Sequence, residues 1–120
     1  MKHDYPKLKI WQKAMDLSVN IYEVTSQFPN EKKYGLVSQL RRASVSIPSN
    51  IAEGSAYESD RQFLKFLYIS IGSLSEVETQ CILSEKLNLL TKEKCETLLI
   101  NTEELRKMLI KFMGTLRKIE

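Results

Sequence analysis

Leu98-Leu99-Ile100-Asn101-Thr102-Glu103-Glu104-Leu105-Arg106-Lys107-Met108-Leu109-Ile110-Lys111-Phe112-Met113-Gly114-Thr115-Leu116 carries the clearest period in the chain. Leu98, Thr102, Leu105, Leu109, Phe112, Leu116 and Ile119 recur at alternating intervals of four and three, which is one face of a helix. Thr91 stands in the N-cap position and Glu93 lies favourably against the helix dipole, so the spacing predicts a helix over 92–118. Upstream, Ser59-Asp60-Arg61-Gln62 is a capping box with an acid in the first turn. It opens a stripe of Leu64, Leu67, Ile71, Leu74, Glu78 and Cys81, a helix over 60–88.

The second helix, 33–54, begins somewhere between Glu31 and Leu36 and has the inward stripe Leu36, Leu40, Ser44, Ile47 and Ile51. Gly54 is its natural stop. Pro48 removes an amide and clashes with the carbonyl of Ser44. It implies either a kink, with Ser44, Ser46 and Ser49 serving the freed groups, or a break at Ile47; the kink is preferred. Trp11, Ala14, Ser18, Ile21, Thr25 and Phe28, widened by Met15, Leu17, Tyr22 and Val24, make a first helix over 8–28 that Pro29 ends. Helices of twenty or more residues are roughly 30 Å long, and short connections make neighbours antiparallel. The expected fold is all-α, an up-down-up-down antiparallel four-helix bundle, one domain over 1–120.

The 120 residues are 42% hydrophobic and 28% charged, enough apolar chain for a packed core, and 4 Gly with 3 Pro are too few for many tight-turned strands. No apolar run approaches the roughly 20 residues that span a bilayer, and no secretory signal stands at the N-terminus. The expected compartment is cytoplasmic. Cys81 and Cys95 lack the paired spacing of a zinc or redox motif and read as reduced, packed thiols. His3 is the only histidine, which removes His-based triads and Glu-x-x-His metal sites, and there is no phosphate-binding Gly-rich loop. No metal, no cofactor and no enzyme is expected.

Arg41-Arg42-Ala43-Ser44-Val45-Ser46-Ile47-Pro48-Ser49-Asn50-Ile51-Ala52-Glu53-Gly54 resembles the signature of four helix bundle proteins related to those encoded by 23S ribosomal RNA intervening sequences. Leu8-Lys9-Ile10-Trp11-Gln12-Lys13-Ala14-Met15-Asp16-Leu17, Phe28-Pro29 with Tyr34-Gly35-Leu36, and Gly72-Ser73-Leu74-Ser75-Glu76-Val77-Glu78-Thr79-Gln80 also fit, so the resemblance covers about 8–116. It implies a cytosolic bundle that assembles with itself, a pentameric ring being favoured, and implies no enzymatic activity. A related group serves diversity-generating retroelements as accessory proteins whose basic ring surface binds nucleic acid. This chain departs after Gly54, where Glu58 and Asp60 precede Arg61 in a stretch that is basic in many relatives.

The residues supply four functional candidates. Residues 1–13 are locally +3 and 105–120 locally +4, so with +3 overall the remainder is −4. An up-down-up-down bundle places both basic segments at one end: Lys7, Lys9 and Lys13 with Arg106, Lys107, Lys111, Arg117 and Lys118. They are candidate phosphate contacts for RNA or DNA, or else helix-end lysines that only solvate the surface. Second, Phe63, Phe66, Tyr68 and Ile69 make helix three apolar nearly all round, so it is either enclosed in the monomer or covered by another subunit. Third, Arg41, Arg42, Asn50, Glu53, Glu76 and Glu78 form a polar group, with Glu78 needing a partner that Arg41 or Arg42 can supply. It reads as a structural network in preference to a ligand pocket or an enzyme site. Fourth, Trp11 and Tyr22 read as core, whereas Tyr57 is open to a ligand or a neighbouring subunit. The two functional readings are weak, non-sequence-specific nucleic-acid binding by the oligomer and, alternatively, an assembly module that recruits a protein partner. No membrane partner is expected.

Overall fold

Thr91 and Ser59 act as the caps expected of them. Thr91 Oγ1 accepts the Lys94 amide at 3.2 Å and Ser59 Oγ accepts the Gln62 amide at 3.3 Å. The computed structural model describes residues 3–29 and 35–117. Its helices are α1 (Lys9–Thr25), α2 (Leu36–Ser55), α3 (Asp60–Lys86) and α4 (Lys92–Arg117), with a 3-10 turn, Tyr5–Lys7, before α1. Each helix packs on the next and α4 closes back on α1, in a bundle of 46 × 20 × 20 Å. This is the expected up-down-up-down architecture. No strand occurs among the described residues.

The ends differ from expectation for local reasons. α1 stops at Thr25, three residues early, because the Thr25 and Ser26 hydroxyls donate back to the Ile21 and Glu23 carbonyls, both at 2.7 Å, and the chain tightens into a turn. α3 stops at Lys86 because Asn88 adopts a left-handed conformation at φ 62°, closing the helix as a C-terminal cap. α2 starts at Leu36, the late edge of its expected window; Lys33 and Tyr34 lie outside the described residues, as do Lys118 and Ile119. Gly54 is no stop. The helix continues through it to Ser55, and its missing side chain serves packing instead, since a Cβ there would lie 2.8 Å from Phe63 and Phe66 atoms.

Pro48 sits inside an unbroken α2, which removes the reading of a break at Ile47. Without a proline amide, the Ser44 carbonyl loses its intrahelical donor. The replacement comes from another helix: Ser18 Oγ on α1 donates to Ser44 O at 2.9 Å, where Ser44, Ser46 and Ser49 were the expected source. On the opposite flank Ser70 Oγ donates to Ile47 O at 2.9 Å, and Ser46 Oγ lies 2.9 Å from Ser73 Oγ. α2 is thus held by serines of both neighbours around its proline. Ser18→Ala should lower the unfolding free energy by about 1 kcal/mol by stranding a buried carbonyl. Urea denaturation reads this directly, and an unchanged midpoint would show that the carbonyl needs no side-chain donor.

The serines also turn α3. Its fully buried positions are Phe63, Leu67, Ser70, Leu74, Val77, Cys81 and Ser84, while Ile71 and Glu78 stand at the flank. Small residues let the α2 and α3 backbones come close, which rotates the inward face away from the stripe drawn through the large apolar residues. On α1, Ala14, Leu17, Ser18 and Ile21 are buried and Trp11 packs partly against the core, but Tyr22 is exposed. Its ring lies beneath the Arg41 guanidinium, 4.5 Å from carbon to centroid, so it is not a core residue.

Candidate nucleic-acid interface

The 3-10 turn, the start of α1, the α2–α3 connection and the last turns of α4 meet at one end of the bundle. The His3 ring lies 5.1 Å from that of Phe63 on α3 and 5.7 Å from that of Phe112 on α4. The two basic segments are therefore neighbours. Lys9, Lys107 and Lys111 face solvent, and Lys7 lies 3.7 Å from Asp4 with both groups exposed, a pair worth little. Arg117 is exposed, lies 5.5 Å from the Tyr68 ring centroid and donates to the Tyr68 hydroxyl. Lys13 is half-buried against Glu104 at 3.7 Å. Lys118 lies outside the described residues. The connection closing this end adds Glu53, Glu58 and Asp60 against Arg61 and Lys65, subtracting one charge from the basic surplus.

Arg106 does not belong to this surface. It turns between α4 and α3 to pair with Glu78, with Glu103 at 3.8 Å beside it, and Thr102 Oγ1 lies 2.7 Å from the other Glu78 oxygen. Glu78 thus takes its partner from α4, not from Arg41 or Arg42. The reason is rotational: the serine-packed side of α3 faces α2, so Glu78 falls on the side facing α4.

The expected six-residue network is accordingly divided. Arg41 turns to α1, donating from Nε to Thr25 Oγ1 at 2.9 Å and from Nη2 to Tyr22 O at 3.4 Å. Asn50 Nδ2 donates to Ser46 O and Oγ at 2.8 and 3.0 Å, joining the Ser46–Ser73 contact. Arg42, Glu53 and Glu76 are exposed on the outer surface. Three separate structural contacts replace one site. A groove of about 450 Å³ opens elsewhere, between α1 and α4, where Asn20 and Glu23 face Lys94, Thr97 and Asn101. Sequence reasoning passed over it because Asn20 and Asn101 carry no motif.

Helix three's apolar surface also divides. Phe63 is fully buried inside the subunit and is not an interface residue, for its ring fills the space left by Gly54 and packs edge-on to Phe112 at 5.6 Å. Phe66 is half-buried, stacked under Tyr57 at 5.3 Å with 17° between the planes. Tyr68 and Ile69 remain exposed at 53% and 51%. A further exposed apolar row is on α1, where Met15, Val19 and Tyr22 share a face beside Val45 of α2, and Ile100 and Ile110 of α4 are exposed as well.

Cys81 and Cys95, distant in sequence, are brought together across the α3–α4 hairpin, with Cys95 Sγ 3.7 Å from Cys81 O. Both are buried free thiols. Burial pushes Cys81 up to about 12, with Cys95 and Glu78 adding to it, and burial followed by Glu85 raises Cys95. A thiol held protonated in this way is a packing group and a poor nucleophile. Among the described residues no three His, Cys, Asp or Glu side chains are grouped to hold a metal ion, and no helix is long and apolar enough to cross a membrane.

A four-helix bundle with a basic end and an unusual serine-lined proline helix defines the class of protein. The sequence matches the 23S rRNA-intervening sequence protein family over residues 6–111, and the chain belongs to that family. Among solved structures it is similar to a protein of unknown function from the S23 ribosomal protein family of Bacteroides thetaiotaomicron VPI-5482. The two share 24% identity over 87% of this chain and 97% of that one, with a TM-score of 0.77, a likeness of fold. No curated protein matches the sequence.

Proposed function

We propose that this chain is a non-enzymatic, self-assembling bundle that holds nucleic acid by its phosphate backbone, a ring of five being the form its resemblance implies. The observation that carries this reading is the gathering of Lys7, Lys9, Lys107, Lys111 and Arg117, all solvent-facing, towards one end of a chain whose remainder is acidic. A ring repeats that end in every subunit. Each phosphate neutralised releases a condensed counterion, so affinity grows with the number of lysines presented and falls steeply with salt. Contacts made by lysines to a phosphate backbone carry no base information, so the binding read here is without strong sequence preference.

The test is binding of the mass-verified oligomer to labelled structured RNA and duplex DNA between about 50 and 200 mM salt. Affinity should fall steeply across that range. The triple variant Lys9→Glu, Lys107→Glu, Lys111→Glu should keep its mass and helicity, bind at least about tenfold more weakly, and show a flatter salt dependence. An affinity indifferent to salt and to these reversals would remove the reading, and a monomeric mass at micromolar concentration would remove the assembly. With assembly intact and no nucleic acid bound, the exposed row Met15, Val19, Tyr22 and Val45 favours the second reading, a module that recruits a protein partner.

A further inference from the structure

The basic end carries exposed aromatic rings that contact with a phosphate backbone does not require. Around the exposed side of α3, at 100° per residue, the order is Phe66, Ile69, Lys65, Tyr68. Tyr57 lies flat on Phe66 at one flank, and its ring is fixed in orientation while 38% of the residue stays open to solvent. At the other flank Tyr68 is 53% exposed, with Arg117 over one face of its ring and donating to its hydroxyl, so the opposite face is the one open to a base. Lys65, exposed, stands between the two. Planar faces alternating with cations across a helix roughly 10–12 Å wide suit a strand whose bases are free. A duplex has no use for them, because its base faces are already stacked and it presents only phosphates and groove edges.

We infer that the nucleic acid held at this end is single-stranded, with unpaired bases stacked on Tyr57 and on Tyr68 beside Arg117 while Lys65 contacts the phosphate between them. This rests on the nucleic-acid reading above and names its substrate class. Stacking accepts every base, so the binding stays independent of sequence.

The test compares a fluorescein-labelled single-stranded DNA of mixed sequence with the duplex of the same length, using the mass-verified oligomer, by anisotropy at low salt. The single strand should bind at least about fivefold more tightly than the duplex. Tyr57→Leu and Tyr68→Leu should each weaken the single strand by about fivefold or more and leave the duplex unchanged. Photocrosslinking of an iodouracil-substituted strand should map to Tyr57 or Tyr68 by mass spectrometry, a contact readout that does not depend on the variants folding. Equal binding of both nucleic acids, or a single-strand preference that survives both substitutions with crosslinks elsewhere, overturns the inference and leaves the basic-end reading standing. No binding of either at low salt overturns both.

Discussion

Phe63→Ala should lower the unfolding free energy by about 3–5 kcal/mol, the usual loss for an aromatic ring removed from a closed core. The ring is fully buried, 5.6 Å from Phe112 and 5.1 Å from His3, and the Gly54 backbone closes one side of it. Since α2, α3 and α4 all contribute to this site, little can collapse into the space left behind. Urea denaturation over a wide range of protein concentration is the measurement. A core residue lowers stability equally at every concentration, whereas an interface residue acts through the association equilibrium and its effect varies with concentration. Lys65→Ala, exposed on the same helix, serves as the surface control, with a change within about 0.5 kcal/mol. A loss below about 1 kcal/mol for Phe63→Ala, together with dissociation of the subunits, would return Phe63 to an interface.

Gly54→Ala should destabilise by about 1–3 kcal/mol, although glycine to alanine inside a helix ordinarily gains about 0.5–1 kcal/mol. The new methyl would stand 2.8 Å from Phe63 Cδ1 and 2.8 Å from Phe66 Cβ. A ring edge can swing away, but the Phe66 Cβ is fixed to its own backbone, so α2 and α3 must separate there, against the serine contacts that hold them together about two turns away at Ser46 and Ile47. Gly72→Ala is the counterpart, also within a helix, and its Cβ would meet nothing within 4 Å. It should stabilise by about 0.5–1 kcal/mol. Opposite signs for the same substitution, read as shifts in the urea midpoint, separate close approach from helix propensity. A gain at both positions would show that the α2–α3 spacing yields freely.

The sequence-based expectations succeed or fail according to how local their causes are. The Thr91 and Ser59 caps depend on atoms three residues apart, and both form. The stripe of α4 depends on one helix's own period, and Leu98, Thr102, Leu105, Leu109 and Leu116 are buried as it requires, while Phe112 is only partly buried, Met113 beside it is buried, and Ile119 lies outside the described residues. The stripe of α3 depends on what packs against it. The helical interval drawn through Leu64, Leu67 and Leu74 puts Ile71 and Glu78 inward, whereas Ser70 and Val77 are the fully buried residues there, Ser70 because close helix contact favours a small side chain. Glu78 consequently finds Arg106, far along the chain on α4, in place of the arginines of α2. Reading Ser44, Ser46, Ser70 and Ser73 as a contact seam would have been the signal. Polar residues at a helical interval are ordinarily assigned to solvent, which is why the seam was missed.

The candidate interface follows the same division. That both basic segments share one end is a consequence of four helices with short connections, and it is legible in the sequence. Which cations remain on the surface is not, since Arg106 is drawn inward by Glu78 and Lys13 is half-covered beside Glu104. The flat pairing of Tyr57 on Phe66 joins a loop to a helix and leaves no trace in either segment's pattern.

Four helices, their order and antiparallel course, their caps, and the polarity of charge along the bundle are all legible in the amino-acid sequence. All of these arise from the period of a single helix or from the parity of short turns. The rotation of α3, the donor that serves the carbonyl freed by Pro48, the partner of Glu78 and the enclosure of Phe63 arise only when the helices pack. Each of these is set by the distance between two backbones, and that distance is the joint result of side chains on separate helices meeting across the core.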